Sequence, residues 1–342
     1  MQKLLTIIVP VYKVEPYINK CLDSCLIYKT NEDEQKVLDD ELMNQLEVII
    51  VNDGTPDNSA EMSREYVKRY PQTFRQIDKE NGGHGSAWNV GLKEATGKYL
   101  RFLDSDDWLT SLGEFMNKLA QSDADIVLTN YRRFHVPINK YVEYKCIVAV
   151  DKTVKITRPL LQTLPHGYID LNFWTATYKT SILQSLWPLM AERVMYDDSI
   201  LSFAPLIKGR TITGVDMVLY NYLLGREGQS MTVNIQRKKA ASYLVCLKRE
   251  EELLSSIVPS EIPADILECI HEVIAEYAHF VFSSFVYLPY KEAKKYMRHV
   301  DKHYHPKKPS KVYLRYKHFP FAAFYLLERG RYSLAQLKSN KK

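Results

Sequence analysis

Residues 99–108 read YLRFLDSDDW, an apolar strand, Tyr99–Leu103, that runs straight into Asp104-Ser105-Asp106-Asp107. Four polar residues at the carboxyl edge of a sheet, three of them acidic, repel one another unless a cation sits among them. Two carboxylates spaced i, i+2 after a strand can approach one hard divalent cation and leave positions for phosphate oxygens. The alternative is an acidic cap for a following helix, with Asp106 or Asp107 as the N-cap.

Upstream of this run, strand and helix signals alternate. Leu5–Val11 and Leu46–Val51 (LEVIIV) are apolar strands, and Phe74–Asp78 is a shorter one. Glu15–Leu26, Ala60–Tyr70 and Ser86–Ala95 carry helical spacing; in the first, Ile18, Leu22 and Cys25 share a face. Short apolar strands separated by helices predict a parallel α/β sheet covered on both faces. Ligands of such sheets sit at the carboxyl ends of the strands. The strands here end in Pro10 to Tyr12, in Asn52-Asp53-Gly54 and in the acidic run, so these three ends should converge on one crevice. Tyr28–Gln45 is long for an α/β connection and holds six acidic residues against two lysines. It reads as a solvated loop or an extra helical turn.

Residues 111–232 continue as mixed α/β, with strands expected at Asp125–Thr129 and Val142–Val150. From 233 the pattern turns helical. Arg237–Ile257 and Ala264–Leu288 show three-to-four spacing, and Ile266, Ile270, Val273, Ile274, Tyr277 and Val281 form one stripe, read as core or as a subunit contact. The chain thus divides at about 110 and 232, into two halves of one α/β unit and a helical region, 233–342.

A glycine-rich loop that opens a helix, Asn81-Gly82-Gly83-His84-Gly85, lies between the second strand and the acidic run. Backbone amides at a helix N-terminus favour anions such as diphosphates. Asp53 is placed to accept hydrogen bonds from a base or ribose. Together, TIIVPVYKVEPYINKCLDS (6–24), EVIIVNDGTPDNSAE (47–61) and NGGHGSAWNVGLKEATGKYLRFLDSDDW (81–108) resemble the family 2 glycosyltransferases of the inverting GT-A type. The resemblance implies a GT-A nucleotide-sugar-binding fold, a mostly parallel central sheet flanked by helices, here with a C-terminal helical extension. It also implies a nucleotide-sugar donor, most often a UDP-sugar, and a metal bound through the DxD motif. By position, Pro10, Val11, Tyr12 and Glu15 would line the nucleoside pocket and Asp53 would contact the base. Asn81, Gly82 and Gly83 would form the donor loop. Asp104 would face ribose and metal with Ser105 beside it, and Asp106 would be the principal metal ligand. The family commonly has Arg where this chain has Trp88. The metal and loop amides, or Lys79 or His84, would then supply the charge facing the donor phosphates.

Two further segments extend the resemblance. Met195-Tyr196-Asp197-Asp198 matches a Glu-Asp pair whose Asp is the general base, which makes Asp198 the base and Asp197 its support. An acceptor hydroxyl has a pKa far above 7, so a carboxylate within reach must take its proton as the bond forms. The alternative is that both residues cap a helix. Tyr220–Met231 resembles a Tyr-rich strand leading into an Arg-x-Gly-x-Ser loop that closes over the diphosphate, which makes Arg226 and Ser230 donor contacts; alternatively this loop joins two domains. The implied reaction uses Mn2+ or Mg2+ on the diphosphate. A single displacement turns an α-linked donor into a β-linked product on a glycan or lipid-linked acceptor in cell-surface polysaccharide or glycoconjugate synthesis.

Bulk composition sets limits. The 342 residues are 46% hydrophobic and 25% charged, an ordinary globular balance that argues against disorder. Met1–Pro10 is too short for a signal peptide, and the apolar window Ile262–Leu288 is broken by four acidic residues, so no membrane span is expected. Five cysteines without CxxC spacing read as reduced thiols filling the core of a cytoplasmic protein, with no zinc site. The net charge of +5 is unevenly spread: residues 290–342 hold 15 Lys and Arg against 3 Asp and Glu. Basic residues interleaved with aromatics suit an anionic membrane surface, at the inner face of the plasma membrane. A solvated helix or a homodimer contact would read alike. RNA binding has no RRM, KH or OB signature behind it, and a degenerate fold used only for binding sits poorly with intact acidic motifs.

Overall fold

Leu5–Val11 is buried at every position, the pattern of a strand covered on both faces, and the sheet is built around it. A computed structural model describes residues 3–226, 240–304 and 310–339. In chain order the strands are β1 (Leu5–Val11), β2 (Tyr28–Thr30), β3 (Lys36–Leu38), β4 (Leu46–Asn52), β5 (Phe74–Asp78), β6 (Tyr99–Phe102), β7 (Trp108–Leu109), β8 (Ile126–His135), β9 (Lys140–Tyr144), β10 (Val154–Lys155), β11 (Ala176–Lys179) and β12 (Thr211–Leu224). All but β2 and β3 form one sheet, ordered β10-β12-β8-β11-β6-β1-β4-β5, with β7 on β12 and β9 on β8.

β1 pairs in parallel with β4 and β6, and β5 in parallel with β4. Val11 lies opposite Asn52 and Ile8 opposite Phe102. Just past the strands, the amides of Asp53 and Leu103 reach the carbonyls of Val11 and Ile8, each at 3.0 Å. The three expected strand ends therefore finish side by side. On the other side of the sheet β8 and β12 are also parallel, but β11 runs antiparallel between β8 and β6. The buried Arg101 on β6 clamps this reversed strand, its guanidinium donating to Thr177 Oγ1 and to the Trp174 carbonyl, each at 2.8 Å. The sheet is thus mixed, with a parallel block on each side of the reversal.

Several local expectations are corrected. Tyr28–Gln45 is a β2–β3 hairpin followed by the helix Asp40–Gln45. Asn31 Oδ1 closes the hairpin turn on the amides of Asp33 and Gln35, and Asp39 caps the helix through the Leu42 amide. The helix expected over Glu15–Leu26 is only Ile18–Asp23, because Pro16 biases the residue before it away from helical backbone. The helix expected over Ser86–Ala95 starts earlier, at His84. β8 continues to His135 against the long β12. The strand expected over Val142–Val150 stops at Tyr144, where the Cys146 amide turns to Asn130 Oδ1 at 3.0 Å and Ala149 adopts a φ of 53°.

The C-terminal region comprises the helices Ala240–Ser256, Ala264–Phe282, Tyr290–His303, Lys311–His318 and Phe321–Ser339. The Ala264 helix stops at Phe282 and passes into a 3-10 turn, Ser283–Tyr287, instead of continuing to Leu288. Residues 237–239 of the expected first helix lie outside the described residues. Ile266, Ile270, Val273, Ile274 and Val281 are all buried in the same hydrophobic cluster as β1 and β4, so that stripe is core. Arg158, ahead of the α/β unit's last strands, pairs with Glu268 and Glu272 of this helix, which fixes it to the sheet domain.

Candidate active site

Along the strand ends runs a cleft of about 690 Å³. Its walls bring together Pro10, Val11, Tyr12, Asp53, Asn81, Gly83, His84, Asp104, Ser105, Asp106, Asp197, Asp198 and Arg226. Glu15, Lys79 and Gly82 do not line it. Glu15 accepts from the Asn58 amide at 3.2 Å on the outer surface, and Lys79 is held by Asp53 Oδ1 at 2.6 Å. Ser230 lies outside the described residues.

The glycine loop is wrapped around Asp53. Its two oxygens accept from the amides of Gly82 and Gly83, each at 2.8 Å, and Asn81 Nδ2 donates to its carbonyl at 3.0 Å. Gly83 has a φ of +86°, which an L side chain rarely adopts, and it turns the chain into the helix His84–Glu94. A Cβ on Gly85 would come within 2.1 Å of the Ala191 carbonyl and 2.8 Å of Asp197 Oδ2. That contact is how the loop reaches the second acidic pair. Asn89, buried on the same helix, accepts from the amides of Leu189 and Met190 and donates to the Met190 carbonyl at 3.0 Å. It therefore positions the segment that leads into Asp197 and Asp198.

His84 joins the two acidic clusters. Nε2 is 3.0 Å from Asp104 Oδ1 and Nδ1 is 3.1 Å from Asp197 Oδ2, while the ring rests on Trp88 with centroids 4.1 Å apart. Burial would lower the imidazole pKa, but Asp197 and Asp104 outweigh it and raise it well above the usual value. A protonated His84 is the state these partners favour. Trp88 stacks on Phe102 at 4.3 Å and is fully buried, so the position where the resemblance implies an Arg is here part of the core.

The three aspartates of the acidic run have different surroundings. Asp107 is buried; its oxygens accept from Tyr220 Oη at 2.6 Å and the Leu223 amide at 2.7 Å, which pins β12 to the run. The run continues into β7 and not into a helix, so neither Asp106 nor Asp107 is a helix cap. Asp106 is paired with Arg226. Burial and Asp104 raise its pKa, with Arg226 pulling the other way. Asp197 and Asp198 open a 3-10 turn, Asp197–Ser202, whose N-cap is Tyr196, so they do not cap it either. Burial, then the neighbouring Asp197, pushes Asp198 up to about 7. Asn172 Nδ2 donates to the Asp198 carbonyl at 3.2 Å, and Ser199 Oγ bonds Glu250 Oε1 at 2.7 Å, so the turn is held from both sides.

The sequence profile described as Glycosyl transferase family 2 matches residues 6–187. The chain belongs to this family. It is 29% identical over 248 residues to the uncharacterized glycosyltransferase EpsJ of Bacillus subtilis, an alignment covering 70% of this chain and 66% of EpsJ. It is 40% identical over 114 residues to the minor teichoic acid biosynthesis protein GgaB of B. subtilis, covering 33% of this chain and 11% of GgaB. The chain thus spans two thirds or less of these curated relatives. Among solved structures, S. aureus TarS 1–349 in complex with UDP-GlcNAc superposes with a TM-score of 0.52 at 18% identity, covering 87% of this chain and 90% of that one. That likeness supports the mixed α/β, GT-A arrangement with C-terminal helices.

In this family 2 chain the metal question comes down to the acidic run. Carboxylate oxygens of Asp104, Asp106 and Asp107 lie within 4.8 Å of one another. Asp107 uses both oxygens on Tyr220 and Leu223, whereas Asp104 and Asp106 each engage one oxygen, with His84 and with Arg226, and have a second hard oxygen that would suit Mg2+ or Mn2+. Burial first, and then Asp104, raises Asp106, and a cation between the two carboxylates would favour their charged forms. The cleft also contains residues that motif reading missed: Arg193, exposed with a φ of 60°, and the aromatic pair Trp174 and Tyr222. Arg193 sits in no motif and enters the cleft because its amide bonds the Gly82 carbonyl at 2.7 Å. All five cysteines are buried and free. Cys146 approaches His166 and Asp170, with its Sγ and Asp170 Oδ1 both facing Nδ1 of that histidine at 3.7 and 3.0 Å.

Proposed function

We propose that this chain is a metal-dependent inverting glycosyltransferase that moves a sugar from a UDP-sugar to a hydroxyl of a glycan or lipid-linked acceptor. The observation that carries the reading is the placement of Asp198, pushed up to about 7, in one cleft with Asp104 and Asp106. One carboxylate group is poised near neutral pH to take a proton, and the other two present hard oxygens for a cation and its diphosphate.

Pro10 to Tyr12 and Asp53 form the nucleoside end of the cleft, with Tyr12 half exposed for a base to lie against. Asp104 and Asp106 would hold Mn2+ or Mg2+, which when bound acts as a Lewis acid on the diphosphate and stabilises the leaving nucleotide. Arg226, released from Asp106, and Arg193 supply guanidinium donors to the phosphate oxygens, taking the part that Trp88 cannot. Asp198 accepts the acceptor's proton as its oxygen attacks the anomeric carbon from the face opposite the leaving group. Asp197, held by His84, keeps the turn in place. Trp174 and Tyr222 offer apolar ring faces to the acceptor side. Teichoic acid in the name of GgaB supports a role in cell-wall or cell-surface glycan assembly. The basic tail supports a cytoplasmic enzyme resting on the inner face of the plasma membrane.

The experiment is UDP release from a panel of UDP-sugars with Mn2+, for wild type and Asp106→Ala. Turnover of one donor that collapses in the variant supports the reading; no binding or turnover of any nucleotide sugar overturns it.

A further inference from the structure

Over residues 321–331 the helix Phe321–Ser339 buries one face and turns an apolar one outward. Phe324, Tyr325 and Glu328 are buried; Tyr325 Oη donates to the Leu288 carbonyl at 2.8 Å and Glu328 is paired with Arg315. The outward positions are Ala322, Ala323, Leu326 and Leu327, with Leu326 70% and Leu327 42% exposed. At 100° per residue, positions 322, 326 and 330 stack above one another with 323 and 327 beside them, an arc of about 140°. Arg329 and Arg331, both exposed, fall at the two edges of that arc. Phe319, in the turn just before the helix, is 47% exposed. A surface helix ordinarily turns charged residues to solvent and apolar ones to the core. Here both faces are apolar and the outer one is rimmed by arginines.

We propose that this face docks onto an anionic lipid bilayer, the leucines entering the boundary between headgroups and acyl chains and the arginines meeting lipid phosphates. Residues 305–342 carry ten Lys and Arg and one acidic residue, Glu328, which is buried. Such a segment is complementary to an anionic leaflet, where each basic side chain near the surface strengthens binding by about fivefold. A second copy of the chain is the competing occupant, and the charge opposes it. A two-fold contact would set two arginine-rimmed surfaces of the same sign against each other. Among the described residues no helix is long and apolar enough to cross a membrane, so attachment is through one helix face. The inference deepens the proposed function and rests on it for its purpose, which is to hold the cleft beside a lipid-linked acceptor.

The test is co-sedimentation of the full chain with vesicles of phosphatidylcholine alone or with phosphatidylglycerol, comparing wild type with Leu326→Glu/Leu327→Glu. Both leucines are exposed, so the variant is expected to keep the wild-type melting curve and UDP release from soluble donor. Wild type should prefer the anionic vesicles by at least about tenfold, through several basic side chains, and detach as salt is raised; the variant should stay in the supernatant. Equal pelleting of the two proteins, or indifference of wild type to phosphatidylglycerol, overturns the proposal. So does a wild-type dimer that the variant converts to monomer with no change in lipid binding. UDP release is read separately: its absence in both proteins counts against the transferase reading and leaves the vesicle result standing.

Discussion

Nε2 of His84 lies 3.0 Å from Oδ1 of Asp104, and that contact couples the glycine loop to the acidic run. Through its other nitrogen the same ring holds Asp197, so one imidazolium separates two carboxylates that would otherwise repel. His84→Phe keeps the ring on Trp88 and removes both bonds. The expected cost is about 1–2 kcal/mol of stability, toward the low end for charged hydrogen bonds because a third of the side chain is exposed. Urea unfolding measures it, and a midpoint equal to wild type would show that the bridge is not formed.

Asp198→Asn should lower kcat by about 10²–10⁴ and leave donor KM within a few-fold, because the proposed role of its carboxylate is on the acceptor. The pH profile gives an independent reading. Asp198 is raised from 3.8 to about 7, so its basic form fills as pH climbs through 7, and kcat should rise across that range in wild type. A profile flat from pH 5 to 9 would remove Asp198 from the role.

Much of this site can be read from the chain, for a physical reason. Strands buried on both faces are continuous apolar runs, so β1, β4 and β6 announce themselves, and the polar residues that end each run fall at one edge of a parallel sheet. The Tyr28–Leu38 hairpin has no buried apolar run to mark it; its strands pair at the surface and Asn31 closes the turn. The reversal at β11 depends on Arg101 reaching Thr177, a contact across 76 residues. Asp107 is indistinguishable from its neighbours in sequence and is set apart by Tyr220, 113 residues away, whose hydroxyl donates to it. Arg193 and Asn89 gain their places only when the 189–193 segment folds over the glycine loop. Apart from the hairpin turn, long-range partners and not local pattern decide these.

Glu250 offers a stability test away from the cleft. It is buried, one oxygen accepts from Ser199, and the other has no hydrogen-bond partner among the described residues. Burial raises its pKa from 4.5 to about 8. A carboxyl raised on folding contributes stability below its unfolded value, and that stability is lost as pH climbs through the folded one. Between pH 5 and 8 wild type should therefore weaken, and Glu250→Gln should weaken less, by a few kcal/mol at pH 8. Urea midpoints at the two pH values decide it; parallel losses in both proteins would mean that Glu250 ionises freely in the fold.

Trp88 is the last position to test, because the family resemblance and the structure pull it in opposite directions. The family resemblance implies an Arg there, facing phosphates, so Trp88→Arg looks like a repair. In this chain the ring is fully buried, stacked on Phe102 at 4.3 Å and edge-on to Phe173 at 5.0 Å, with His84 above it. An arginine at this site would lose the aromatic packing and place its charge beneath His84, which the acidic pairs already favour as a cation. Burial of an unpaired charge and loss of a core aromatic each cost several kcal/mol. Trp88→Arg should therefore unfold well below wild type and release no more UDP, while Trp88→Phe should lose far less. A stable, faster Trp88→Arg enzyme would show instead that the helix turns this position toward the cleft.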